Sequence, residues 1–356
     1  MRLFVQGAVL LLGMGFLSAP AKAQKVVIED DAPNSIVLVS QDKAGDEIVR
    51  IMNETQSPRF HDPKAPRFVL TDRKGRFALG IGGYVKATAE YDFGGIVDNI
   101  DFIPAYIPGG SKIKNQFQMD ASTSTIFLKL VGHTKILGDF IVYTAGNFRD
   151  GSNKGFQLRN AYVSFRDVTV GYTYGGFMDL GALPSTIDFQ GPNGATFYRA
   201  TQVAYTYKGL KNFRFNASVE VPSVDGTTDS GLDIAQQRMP DFTAYAQYGW
   251  NSKSHLRVGG LIRSMTYTST LSDKAHAVTG FGVQASATFN VGRQWQVFGQ
   301  ATYGKGIGQY WAGMRDCNII SVRRCSSQAH TACHAFILKT DTPPTNRLRT
   351  AMDNIS

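Results

Sequence analysis

Between Phe77 and Phe93 the chain alternates. Phe77, Leu79, Ile81, Val85, Ala87, Ala89, Tyr91 and Phe93 share one parity; Arg76, Gly80, Tyr84, Lys86, Thr88, Glu90 and Asp92 share the other. A side-chain period of two puts these sets on opposite faces of a β-strand, one apolar and one wet. The run far exceeds the roughly five or six residues usual in a globular sheet. A strand of this kind, repeated, constrains the chain to an all-β fold. It predicts a transmembrane antiparallel β-barrel with lipid against its outer face and water within.

The pattern does repeat. In Phe213 to Val221 the residues Phe213, Phe215, Ala217, Val219 and Val221 oppose Arg214, Asn216, Ser218 and Glu220. Phe242, Ala244, Ala246, Tyr248 and Trp250 continue it, as do Leu256, Val258, Gly260 and Ile262, with Arg257 and Arg263 opposed. Phe281 to Val291 alternates against Gln284, Ser286, Thr288 and Asn290. In the second strand, Phe117 to His133, parity slips near Ala121, which predicts a bulge there. Roughly eleven or twelve strands are readable, joined alternately by short turns and long polar loops, the asymmetry of an outer-membrane barrel. A soluble β-sandwich is the competing fold, but its strands rarely run this long with Gly, Ser, Thr and Gln on one parity.

The ends carry a different texture. Arg2, the apolar run Leu3 to Leu17 and Ala21-Lys22-Ala23 read as a secretory signal peptide over residues 1–23, cut after Ala23. Residues 24–75, with Glu29-Asp30-Asp31 and Pro58, Pro63 and Pro66, read as a periplasmic N-terminal arm. A plug inside the barrel and an oligomer contact are open alternatives for it. Residues 76–312 are assigned to the barrel. Residues 313–356 hold all three cysteines and no sustained alternation, and read as an atypical tail outside the barrel. An open barrel edge in lipid leaves backbone groups unpaired at several kcal/mol each. A truncated or frame-shifted reading frame is therefore expected, with a genuine periplasmic tail as the alternative. Cys317, Cys325, Cys333, His330 and His334 match no zinc-ligand spacing.

No stretch after the signal offers about eighteen unbroken apolar residues, so no membrane helix is expected. The formal net charge is +9. Its basic residues are spread singly along strands, which argues against nucleic acid and for a cationic interior that concentrates anions. The parity rule points Lys86, Arg214, Arg257 and Arg263 inward, with Glu90 and Glu220 beside them. Arg159 and Arg199 lie in strands of ambiguous parity. A basic ladder guiding anions is one reading; arginines paired to carboxylates that stiffen the wall is the other. Met178 to Thr196, interrupted by Pro184, Gly191, Pro192 and Gly194, is a candidate constricting loop or a plain outer loop. The chain carries no GxSxG, HExxH or P-loop motif. His133, His255 and His276 lie in no recognisable constellation with Ser and a carboxylate.

The stretch from Arg76 to about Tyr310 resembles the DcaP-like outer-membrane porins. The matching pieces are Gly80-Ile81-Gly82-Gly83-Tyr84-Val85-Lys86, Phe156-Gln157-Leu158-Arg159-Asn160-Ala161-Tyr162-Val163 and Phe197-Tyr198-Arg199-Ala200-Thr201-Gln202-Val203-Ala204-Tyr205. The resemblance implies a homotrimer of barrels, each with about sixteen strands if complete. It implies passage of small anionic solutes such as dicarboxylates, and it moves Arg159 and Arg199 into the lumen. The resulting expectation is a non-enzymatic pore in the bacterial outer membrane, bounded by lipid, needing no cofactor or metal and passing small hydrophilic solutes with a mild anion preference. A structural or adhesive barrel, and a barrel hydrolase, are the alternatives.

Overall fold

The structure, a computed structural model, describes residues 36–39, 68–72, 77–93, 115–150, 155–184, 186, 189, 191–192, 194–224, 227–228, 232–251, 254–269, 272–291, 295–312, 319–320 and 329–339. These form two compact units. One takes in residues 1–174, 186–193 and 199–205; the other 175–185, 194–198 and 206–356.

The first unit contains β1 (Ile36–Val39), β2 (Phe68–Asp72), β3 (Phe77–Tyr84), β4 (Thr88–Phe93), β5 (Asn115–Asp120), β6 (Thr125–Thr134), β7 (Gly138–Asn147), β8 (Gln157–Phe165), β9 (Val168–Tyr174) and all but the last two residues of β10 (Arg199–Tyr207). Its sheet runs β1-β2-β3-β6-β7-β8-β9-β10 with antiparallel neighbours, and β4 and β5 make a separate hairpin. The turn at Arg166-Asp167 joins β8 to β9, with Arg166 at φ 52°.

The second unit contains β11 (Phe213–Glu220), β12 (Thr227–Thr228), β13 (Leu232–Ile234), β14 (Asp241–Asn251), β15 (Ser254–Ser269), β16 (Ser272–Val291), β17 (Trp295–Lys305), β18 (Ile319–Ile320) and β19 (Ala329–Lys339). Its sheet runs β11-β14-β15-β16-β17-β19, again antiparallel, with β13 also on β15. β12 and β18 form a short parallel pair. Among the described residues no helix is long and apolar enough to cross a membrane.

Polarity in the second unit is inverted relative to a soluble protein. Along β14 the odd residues from Asp241 to Gln247 are buried or half-buried, while Phe242, Ala244, Ala246, Tyr248 and Trp250 are exposed. Ile262 is 61% exposed and Val258 56%, whereas Gln284, Ser286, Thr288, Gln300 and Thr302 are buried. Soluble folds bury the apolar parity; this sheet presents it outward, as a wall in lipid does. The large outward apolar residues stop at Ile262 on β15 and at Phe281, its cross-strand partner, on β16. At the other end of the band the rings of Trp250 and Phe289 lie 5.3 Å apart, and those of Phe213 and Tyr248 4.9 Å. From Phe281 to Val291 is about 33 Å of strand, which at a tilt of about 40° crosses about 25 Å, the height of an outer-membrane apolar band. Past Phe281 the hairpin of β15 and β16 continues, sealed by a small cluster of Leu232, Tyr267, Ile234 and Val278.

Three features depart from the sequence reading. The Phe77–Phe93 run is not one strand: it breaks at residues 85–87, and only β3 joins the main sheet. The slip near Ala121 is likewise a break rather than a bulge. Asp120 accepts from the Ser122 N–H at 3.0 Å, Ser124 Oγ donates to the Ala121 carbonyl at 2.7 Å, and the Lys86 N–H donates to Ser124 Oγ at 3.0 Å. Short polar side chains that take over backbone hydrogen bonds end strands. Finally, β19 extends the sheet from β17 over Trp295↔Lys339 to Lys305↔Ala329, inside the stretch expected to lie beyond the barrel. Strand pairing needs backbone groups more than side-chain alternation, so weak alternation did not reveal it.

Candidate functional site

Met178 to Thr196 is expected from sequence to be either constricting or external; the parts of the chain here that belong to the second unit, residues 175–184 and 194–198, lie against the polar face of that unit's sheet. The first part starts with two glycines. A Cβ on Gly176 would collide with Thr243 Oγ1 and come within 2.9 Å of Ser218 Oγ. With no side chain there, the Gly176 N–H donates to Glu220 Oε1 at 2.8 Å. Phe177 follows, fully buried with its ring edge-on to Tyr310 at 5.8 Å between centroids.

Asp179 is the anchor. Its Oδ1 caps the short 3-10 turn Leu180–Ala182 by accepting from the Gly181 N–H at 3.0 Å. Its Oδ2 accepts from His255 Nε2 at 2.7 Å and from Ser286 Oγ at 2.6 Å, with Arg257 Nε 3.9 Å away. Arg257 also donates to the Met178 carbonyl at 2.5 Å and through Nε and Nη2 to Gln247 Oε1, and it stacks over the Tyr245 ring at 3.6 Å. Thr288 Oγ1 donates to the Gly181 carbonyl at 2.6 Å. Met178 to Gly181 is thus clamped onto β15 and β16.

Burial by itself would raise the Asp179 carboxyl. The Arg257 charge, with the His255 hydrogen bond and charge and the Ser286 hydrogen bond, outweighs burial and holds it well below the usual carboxylate range. A carboxyl depressed in the folded state stabilises the docked segment fully above its ordinary value, and that contribution is lost only as pH falls through the lower folded value. Amide exchange over residues 178–183, corrected for intrinsic rates, is therefore expected to stay slow from pH 7 to about 4 and to quicken only in stronger acid. Protection lost near pH 5 would contradict this.

The far end of the segment is tied by Thr196. Its Oγ1 accepts from both Gln284 Nε2 and Gln300 Nε2, and its N–H donates to Gln300 Oε1 at 3.3 Å. Backbone bonds from the Gly194 N–H to the Ala312 carbonyl (2.9 Å) and from the Phe197 N–H to the Tyr310 carbonyl (2.8 Å) complete the seam.

Beneath lies a buried polar network. Glu220 and Asp241 are cross-strand partners, both fully buried. Arg263 Nη2 lies 3.1 Å from Asp241 Oδ2, with both side chains at 0% exposure. Arg263 also donates to the Ser223 carbonyl at 2.8 Å and the Gly306 carbonyl at 3.3 Å. The Tyr310 hydroxyl is 2.9 Å from Asp241 Oδ2 and 3.3 Å from Glu220 Oε2.

In the first unit the basic residues meet aromatic rings. The register of β7 and β8 shifts between Ala145 and Gly146, so Arg159 is the extra residue of a bulge and is buried together with its neighbour Asn160. Its ambiguous parity has this cause, since a bulge re-aims the side chain it inserts. The Arg159 and Arg149 guanidiniums lie 4.6 and 5.0 Å from the centroid of the same Phe189 ring. Arg199 lies over the Tyr174 ring at 4.4 Å and donates to its hydroxyl at 2.8 Å. The buried parity here is less polar than expected: Phe127, Tyr143 and Ala145 cluster there, and Lys129 is buried near them.

The six basic residues singled out from sequence therefore scatter. Arg257 and Arg263 sit on the second unit's polar face and are bonded to carboxylates or carbonyls. Arg159 and Arg199 sit in the first unit against rings. Lys86 is half-buried between β3 and β4, and Arg214 is exposed near the start of β11. Asp179 and Arg149 were missed because they lie in loops without period; Ser286 and Lys129 were legible by parity but carried no signal of their own. His255 and Ser286 both donate to one oxygen of Asp179. A hydrolytic relay instead needs the serine on the histidine, so the three residues form a clasp.

Among solved structures, the outer membrane channel DcaP of Acinetobacter baumannii is similar, with a TM-score of 0.65 and 22% identity over 77% of this chain and 77% of that chain. The loop-deleted OmpT, an outer membrane protein of Vibrio cholerae, matches at a TM-score of 0.34 and 10% identity, covering 65% of this chain and 82% of that chain. An anion-selective porin from Comamonas acidovorans matches at 0.27 and 12%, covering 75% and 96%. These two scores add nothing to the fold assignment. No protein-family model and no curated protein matches the chain. The fold, all-β and antiparallel in its main sheet, is shared with that DcaP channel, as the DcaP-like resemblance implied.

Proposed function

We propose that this chain is a porin of the bacterial outer membrane, passing small hydrophilic solutes by passive diffusion with a mild preference for anions such as dicarboxylates. The observation that carries the reading is the inverted sheet. Apolar side chains face outward over a band of membrane height, polar ones face inward, and an inward segment is clamped to the polar face. Lipid is the outer partner, a homotrimer is the assembly the resemblance implies, and no chemistry on the solute is required. The expectation of a signal peptide over residues 1–23, from Arg2, the apolar run Leu3 to Leu17 and Ala21-Lys22-Ala23, is consistent with export. The field that favours anions is assigned to Lys86, Arg159, Arg199, Arg214, Arg257 and Arg263, acting through summed charge in a narrow passage.

The test is conductance. Detergent-purified mature protein inserted into a planar bilayer under a potassium chloride gradient should show stepwise currents with a reversal potential on the chloride side. Inserted protein that stays silent, or that prefers potassium, would end the reading. A structural or adhesive role is favoured by one feature, the β15–β16 hairpin that projects past the apolar band with its own small core. Silent insertion would favour that role.

A further inference from the structure

We propose that Asp179 sets the ion selectivity of this pore, by cancelling the charge of the Arg257 guanidinium on which the inward segment rests. The inference depends on the porin reading and deepens it. Along β15 the inward parity places His255 and Arg257 two residues apart, on the face that would carry anions. Both are turned to the same oxygen: His255 Nε2 is 2.7 Å and Arg257 Nε 3.9 Å from Asp179 Oδ2. The Arg257 guanidinium is fixed in that orientation by the Met178 carbonyl at 2.5 Å, by Gln247 and by the Tyr245 ring. All three members of the group are largely enclosed, with side-chain exposures of 3% for Asp179, 12% for His255 and 11% for Arg257. A cation partnered this closely offers a passing ion a dipole, whose field falls off faster than that of a bare charge. The basic ladder read from sequence is muted at this point, by a carboxylate that lies 76 residues from His255 along the chain.

Asp179→Asn removes the charge and keeps the shape. The amide oxygen, placed where Oδ1 stands, still accepts from the Gly181 N–H, while the amide nitrogen in the Oδ2 position no longer accepts from His255 or Ser286 and Arg257 loses its counter-charge. The chloride-to-potassium permeability ratio of the variant should rise about two- to fivefold over wild type. Arg257→Gln should move the ratio the other way, because Asp179 is then left in excess. It reads the same coupling should Asp179→Asn fail to insert. The double variant should return towards wild type.

A conducting Asp179→Asn channel with wild-type selectivity overturns the inference, as does one whose conductance rises with no change in selectivity, the mark of a segment merely released from the wall. An Arg257→Gln channel with unaltered selectivity overturns it too. Each of these leaves the porin reading standing, provided that wild type conducts. Wild-type protein that inserts and stays silent removes both.

Discussion

Arg263→Ala should leave most of the protein unable to reach its folded, heat-modifiable form. Arg263 and Asp241 meet with both side chains at 0% exposure, and Glu220 lies directly across the strand pair from Asp241. The guanidinium is the cation bound there, held also by the Ser223 and Gly306 carbonyls. Removing one partner of a buried ion pair leaves an uncompensated charge and costs about 3–5 kcal/mol. Against a total stability of about 5–15 kcal/mol, that is a large fraction. Gel migration with and without boiling, together with urea titration of the refolded protein, reads the effect. Asp241→Asn in the same chain should recover part of the loss, since it removes the orphaned charge. Arg214→Ala, at an exposed position, should shift stability by no more than about 0.5 kcal/mol. Wild-type stability in Arg263→Ala would show that the network contributes nothing to the fold.

Val258→Arg should cost about 2–4 kcal/mol for folding into lipid vesicles. Val258 is 56% exposed on β15 and pairs across the strand with Ala285, near the middle of the apolar band. In a soluble protein an exposed valine changed to arginine would shift stability by about 0.5 kcal/mol or less. In lipid the new charge faces hydrocarbon, where its transfer is unfavourable. The substitution thus separates the two environments by sign and size. Quantitative folding of Val258→Arg into vesicles, with wild-type yield and urea midpoint, would contradict a membrane-facing wall.

Much of the sheet's polarity is legible in the sequence. Alternation in β11, β14, β15 and β16 assigned outward and inward faces residue by residue, and the exposures of Phe242, Val258 and Ile262 against the burial of Thr243, Arg263 and Gln284 follow it. The resemblance carried on Gly80 to Lys86, Phe156 to Val163 and Phe197 to Tyr205 pointed to the same fold. The breaks at residues 85–87 and 121–124 were not legible, because they depend on Ser124 meeting Lys86, which is 38 residues distant. The place of Arg159 was ambiguous because an inserted residue shifts the parity on which the reading rested.

A period of two is a property of the extended backbone itself, so which face of each strand is apolar, and with it the class of fold, follows from neighbours in the chain. Other features come from residues that meet only when the sheet forms. Asp179 reaches Ser286 across 107 positions, and Thr196 reaches Gln300 across 104. Whether an arginine attracts a solute or answers a buried carboxylate depends on those distant partners. Charge acts through space, while periodicity acts along the chain.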